Sequence, residues 1–333
     1  MNIRFYLYLL LLFSTFVFSG ACHKVTPGDM ETQMRMANPQ WEGAFFAGYY
    51  ANQTPLFEFS DGPEINAVLL NGGNIKNFKP LKDIRLRILC LRDSDVTSLD
   101  FLPRLNWEKE VIVELQNCKN ITDFNGLKLL PLTVININNT PFADTGLLGD
   151  KINSLYLDQT QVRKLNLAKP ELLENLVWVQ DKQKPDVDIT QIAAMKRLGY
   201  LQLKHIKGFD GNLLSSLQYL ENLVLSDIDQ IRLTELSPHV MSTVWLENCP
   251  DLEIGNAFNN KIIDKLFLVR CGDPARIFSK LTNTKINQLV IDGVHVPDLS
   301  FLKRIKELQC VRFQKCTGLP EKIDLPYVQV IVE

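Results

Sequence analysis

Four histidines and seven cysteines are the side chains through which this chain could do nucleophilic, acid–base or metal chemistry. His23, His205, His239 and His295 share no common spacing, so no two imidazoles are set to hold one metal or relay one proton. No Cys-x-x-Cys unit occurs. Cys118, Cys249, Cys271 and Cys316 are separated by whole repeat lengths, which suits small buried thiols better than ligands. The sequence contains no G-x-S-x-G, H-E-x-x-H, P-loop or G-x-G-x-x-G pattern. Its Asp and Glu residues are scattered as solvated loops would have them. The inventory argues against catalysis and against a metal or small-molecule cofactor.

Charge excludes another class. Thirty-six basic and thirty-eight acidic residues leave a formal charge of −2 with no basic block, so neither nucleic acid nor an anionic membrane surface is an expected partner. Hydrophobic residues make up 46%, which is ordinary for a folded chain.

A short alternating core sets the elements. Segments of the form L-x-L-x-x-[N/C/S/T] begin at Leu89, Val113, Ile135, Leu155, Leu176, Leu201, Leu223, Val244, Leu266, Leu289 and Val311, at steps of twenty to twenty-five residues. An earlier unit begins at Val68, and Val328 to Val332 make a last strand. The residue three before each start is apolar almost throughout (Leu86, Leu132, Ile152, Leu198, Leu220, Met241, Ile263, Ile286), with Glu110 the exception. Alternation turns two side chains inward and the one between outward, and stacked units share a parallel sheet and one core. At the sixth unit two registers fit: Leu176 and Trp178 inward, or Val177 and Val179 inward with Trp178 outward.

From about residue 65 onward the chain resembles the leucine-rich-repeat family, closest to the internalin-like class in Val96-Thr-Ser-Leu99-Asp-Phe-Leu102 and Val296-Pro-Asp-Leu299-Ser-Phe-Leu302. Units carrying Cys118, Cys249 and Cys316 resemble the cysteine-containing variant. The resemblance implies an α/β fold, a leucine-rich-repeat solenoid with a curved parallel sheet on its concave face and turns or short 3-10 segments behind. It also places Cys118, Cys249, Cys271 and Cys316 inward against the backbone of the turn. About twelve units are expected over residues 65–325, with a capping strand at 326–333.

The outward position between the two core residues reads Leu69, Cys90, Glu114, Asn136, Tyr156, Val177, Gln202, Val224, Trp245, Phe267, Val290, Arg312. Four consecutive apolar residues, Val224, Trp245, Phe267 and Val290, predict one contiguous patch because neighbouring strands lie about 4.8 Å apart. Glu247, Val269, Arg270 and Asp292 are expected to edge it. The pattern fits a protein contact site, and a glycan would also fit. The alternative is that strand positions favour β-forming residues wherever they face.

The N-terminus is of another kind. Arg4 precedes an apolar run, Phe5 to Phe18, and then Ser19-Gly20-Ala21-Cys22, which reads as an export signal over residues 1–21. The stretch is similar to a bacterial lipobox, with Ser19 where Leu is usual, and this implies a lipid on Cys22. Ordinary cleavage after Ala21, giving a secreted protein, also fits. His23 stands where Asp would imply inner-membrane retention, so the lipobox likeness implies an outer location in the cell envelope. Residues 22–40 are expected to be a flexible tether, and 41–64, with Trp41, Phe45, Phe46, Tyr49 and Tyr50, a short amphipathic capping helix or else an aromatic ligand box. Asn-x-Thr sequons at Asn52, Asn120 and Asn138 matter only in a glycosylating host. The expected function is non-enzymatic: an envelope-anchored protein that engages a partner on its concave face, in adhesion or host contact. A structural component of the envelope is the alternative, and a secreted hydrolase with an unrecognised site the alternative of another class.

Overall fold

Alternating Leu-x-Leu segments become strands, and each strand hydrogen-bonds to the one a repeat away. The computed structural model describes residues 27–41, 44–51, 54–56, 65–183, 186–207 and 209–333. They fall into two compact units, the described part of Met1–Pro141 and Phe142–Glu333.

In the first unit β1 (Ala44–Ala51) pairs antiparallel with both β2 (Thr54–Leu56) and β3 (Ala67–Asn71). From β3 the ladder runs parallel through β4 (Leu86–Arg92), β5 (Trp107–Gln116) and β6 (Leu132–Asn138). The second unit holds β7 (Ser154–Asp158), β8 (Asn175–Val179), β9 (Tyr200–Lys204), β10 (Asn222–Ser226), β12 (Val240–Glu247), β14 (Ile262–Val269), β15 (Thr284–Asp292), β17 (Cys310–Gln314) and β18 (Gln329–Val332), all parallel in that order. Between them, β11 (Gln230–Arg232) and β13 (Asp251–Glu253) form a small parallel pair of their own, and β16 (Ile305–Lys306) joins β15. The connections carry short 3-10 turns such as Asn125–Leu129, Gly211–Ser216 and Ser300–Arg304. A repeat near twenty-two residues leaves no room for a longer helix.

Inward residues three apart cannot both lie on one face of a regular strand, whose side chains alternate. A bulge resolves this. The amides of Glu221 and Asn222 both donate to the Gly199 carbonyl, and those of Ser242 and Thr243 to the Glu221 carbonyl. The same pairing occurs at Arg87 and Ile88, at Glu174 and Asn175, and at Gly199 and Tyr200. Two consecutive side chains then face outward while Leu220 and Leu223, or Met241 and Val244, stay buried. Glu110 departs from the column because Val111, fully buried and paired with Leu132, takes the inward place, and Glu110 reaches Arg87 at 2.6 Å instead. At the sixth unit Leu176 and Trp178 are both fully buried, which decides the register.

Most of these strands end in a left-handed residue. Asp93, Asn117 and Asn139 in the first unit, and Gln159, His205, Asp227, Asn248, Arg270, Gly293 and Lys315 in the second, have φ between 45° and 66°. Asn, Asp and Gly tolerate this region best and hold six of those ten positions. Asn117 donates to Asp93 at 2.9 Å, Asn139 to Asn117 at 2.8 Å and Asn248 to Asp227 at 2.8 Å.

Two expectations about the N-terminal segment are corrected. Residues 27–37 are not a loose tether but α1 (Pro27–Ala37), whose Met30 and Met34, one helical turn apart, are fully buried. Asn38 fastens its end by accepting from the amides of Lys76 and Asn77, each at 2.8 Å. The expected capping helix within 41–64 is strand β1, because the free edge of β3 offers a ladder of unpaired groups that an aromatic, β-forming segment can satisfy. Trp41, just before it, is buried and donates from Nε1 to the Asn71 carbonyl at 2.9 Å.

Aspartates cap the turns behind the sheet. Asp123, Asp144, Asp188, Asp210 and Asp298 each accept the amide two residues on, as in Asp188 to Thr190 at 3.0 Å. The Thr190 hydroxyl, then its amide and Lys164, hold the Asp188 carboxyl down at about 2, and Asp123 and Asp298 are also lowered, chiefly by the Asn125 amide and the Ser300 hydroxyl respectively. A carboxyl depressed in the folded state stabilises above its unfolded value and loses that contribution as pH falls through the folded one. For Asp188 the loss runs from the ordinary 3.8 down to about 2. Over that window thermal unfolding should show a steeper fall in midpoint for the native chain than for Asp188→Asn; parallel curves would contradict the assignment.

Candidate functional site

Register brings the apolar outward residues of the second unit together. Val224 pairs with Trp245, Trp245 with Phe267 and Phe267 with Val290, so the four stand side by side on β10, β12, β14 and β15. All four are half-buried, each resting on the sheet with its remaining surface open. The rings of Trp245 and Phe267 stack with centroids 4.5 Å apart and planes 25° apart. Polar residues close the row at both ends. On one side Gln202, opposite Val224, accepts the Tyr200 hydroxyl at 2.9 Å; on the other Arg312, opposite Val290, lies 3.9 Å from Glu333. Burial pushes the Tyr200 phenol up to about 12, so it stays a neutral donor.

A side-chain network holds Trp245 from the strand end. Its Nε1 donates to Glu247 Oε2 at 3.3 Å. Arg270 donates to the other oxygen of Glu247 and, from Nε, to Asn248 at 2.6 Å. Asn248 continues to Asp227, which Lys204 approaches at 3.3 Å and His205 Nε2 at 3.4 Å. Burial acts to raise the Asp227 carboxyl, but Asn248, Lys204 and His205 hold it below the ordinary range. Asp158 beside this group is raised, desolvation outweighing the nearby Lys204 and His205. Glu247 thus fixes the indole against rotation.

Of the residues expected at the patch edge, Glu247 and Asp292 are half-buried on the outward face and Arg270 is exposed. Val269 is a correction. Paired between Glu247 and Asp292, and flanked by the Arg270–Glu247 ion pair, it is only 6% exposed and offers little surface. Cys22 lies outside the described residues.

The outward face of the first unit is also corrected. Leu69 and Cys90, expected to point to solvent, are each 2% exposed, and Ala67, Ile88 and Ile112 cluster beside them. Alternation separates the two faces of a strand but does not say whether a second layer covers the outer one. Desolvation raises the Cys90 thiol and the Glu114 carboxyl hydrogen-bonded to it. The inward thiols behave as expected: Cys118 reaches the Leu91 carbonyl at 3.4 Å, Cys249 that of Glu247 at 3.1 Å, Cys271 that of Leu246 at 3.3 Å and Cys316 that of Ile291 at 3.3 Å. Burial pushes the Cys118 thiol up to about 11, far from a reactive thiolate. Sequence reasoning missed the left-handed column, although Asp93, Asn117, Asn139, Asp227, Asn248 and Gly293 at one fixed offset after the core pair were its sign.

A parallel strand per repeat, bulges that seat two inward columns, and short turns behind define a leucine-rich-repeat fold. The chain is similar to the crystal structure of an internalin from Listeria monocytogenes, with a TM-score of 0.50 and 18% identity over 80% of this chain and 82% of that one. At that identity the likeness is one of fold. No family model and no curated protein matches the chain.

Proposed function

We propose that this is a non-enzymatic binding protein that engages a protein partner through the Val224, Trp245, Phe267 and Val290 row. The observation that supports the reading most is the stacked, partly open Trp245–Phe267 pair held by Glu247. Aromatic side chains anchored in place and edged by polar groups are what binding hot spots are made of. Solvent-facing aromatics at two neighbouring repeats also contribute little to the core, whose inward columns are already filled.

A photo-crosslinking residue at Gln288, exposed beside Val290, should trap the partner in intact cells; the same residue at Lys280, exposed in the connection from β14 to β15, should not. Equal trapping from both positions would remove the reading. Export and attachment through a lipid on Cys22, in the cell envelope and facing an adhesion or host-contact partner, complete the proposal. Among the described residues no helix is long and apolar enough to cross a membrane. Acyl chains on Cys22 would hold the protein to a bilayer by burying their methylenes. Metabolic labelling with a palmitate analogue should mark the native protein and be lost in Cys22→Ala; undiminished labelling of the variant rules out this anchor.

A further inference from the structure

Charge around the aromatic row is not balanced. The outward positions of β10, β12, β14 and β15, with the bulge residue Glu221 just before β10, hold the carboxylates Glu221, Glu247, Asp264 and Asp292 and two cations, Lys265 and Lys285, the second already paired with Glu307. Glu247 is neutralised by Arg270. No cation lies within ion-pairing reach of Glu221, Asp264 or Asp292 among the described residues, and the one polar contact of the Asp264 side chain is the Asn287 amide at 3.1 Å. Glu221 and Asp264 stand on the bulge side of the row and Asp292 on the strand-end side, so the apolar strip runs between carboxylates.

Every strand beneath the strip is hydrogen-bonded on both edges, so a partner cannot add a strand there. An extended peptide laid on the strip would bury its own backbone groups against apolar side chains with nothing to satisfy them. A helix satisfies its backbone internally. Its turns rise about 5.4 Å, close to the roughly 4.8 Å step between strands, so side chains one turn apart can meet successive members of the row.

We infer that the row takes an amphipathic helix whose apolar stripe is bordered by Lys and Arg. The stripe packs on Val224, Trp245, Phe267 and Val290, and the cations of the helix face Glu221, Asp264 and Asp292. This rests on the reading above that the row is the contact site, and adds the secondary structure and charge of what it contacts.

The test uses two synthetic amphipathic helical peptides with one shared apolar stripe, the first flanked by Lys and the second by Glu, titrated against the full chain. The Lys-flanked peptide should bind at least tenfold more tightly than the Glu-flanked one, with an affinity that weakens about tenfold between low and roughly 0.3 M salt. In the triple variant Glu221→Gln, Asp264→Asn, Asp292→Asn, which changes only surface groups, both the preference and the salt dependence should disappear. Equal affinity for the two peptides, an unaffected triple variant, or no binding of the Lys-flanked peptide would each overturn the inference. The two readings fail differently. If Trp245→Ser with Phe267→Ser abolishes binding of both peptides but charge makes no difference, only the helix-charge inference falls. If that double variant binds the Lys-flanked peptide like the native chain, the row is not the site and the functional reading falls too.

Discussion

Replacing Trp245 and Phe267 together by Ser is expected to weaken partner capture by roughly a hundredfold or more while the thermal midpoint falls by only a few degrees. Each ring keeps open surface and stands on the outer side of a strand whose inward residues, Val244, Leu246, Leu266 and Leu268, are at most 1% exposed. Losing the pair removes one cross-strand stack, worth about 1 kcal/mol of folding stability, which in a unit this large moves the midpoint by roughly 2–4 °C. At an interface two anchoring aromatics together contribute about 3 kcal/mol or more, and 1.4 kcal/mol is tenfold. Retained capture, or a midpoint lowered as far as a core truncation lowers it, would show that the rings have another role.

The second large effect lies three repeats from Trp245 and has the opposite character. Trp178→Ala should cost about 3–5 kcal/mol of folding stability, seen as a midpoint lowered by on the order of 10 °C, because the largest fully buried side chain among the described residues leaves a cavity between stacked strands. Its Nε1 has no hydrogen-bond partner among the described residues, so the indole stabilises through packing. Trp178→Phe should therefore lose much less than Trp178→Ala. A small effect from the alanine variant would mean that the sixth unit runs in the other register, with Trp178 outward and Val177 in the core.

Periodicity made most of this architecture readable. The inward columns from Leu89 to Val311 are buried as the alternation requires, and the spacing of Leu220 to Leu223 already contained the bulge, since an odd step cannot join two inward residues in a regular strand. The sixth unit stayed open because Leu176-Val-Trp178 and Val177-Trp-Val179 alternate equally well; only packing separates them. The edge strand β1 was not legible because Phe45, Phe46, Tyr49 and Tyr50 suit a helix face and a strand alike, and the free edge of β3 made the choice. Met30 and Met34 did announce α1, but the polar residues around them drew the reading toward a linker.

The candidate site divides in the same way. That Val224, Trp245, Phe267 and Val290 adjoin follows from register, and register follows from repeat length. That Val269 is 6% exposed while Phe267 keeps open surface depends on packing between neighbouring strands, which no local pattern encodes. Leu69 and Cys90 teach the same point from the first unit: a position can face outward from a strand and still be buried.

Hydroxyl-radical footprinting of the free and partner-bound protein tests the central claim most directly, because it reports on Trp245, Phe267 and Trp178 in one experiment. Trp245 and Phe267 should be oxidised readily in the free chain and protected by the partner, with Trp178 unmodified in both. Oxidation of Trp178 at the rate of Trp245, or a partner that leaves Trp245 and Phe267 as reactive as before, would contradict the account.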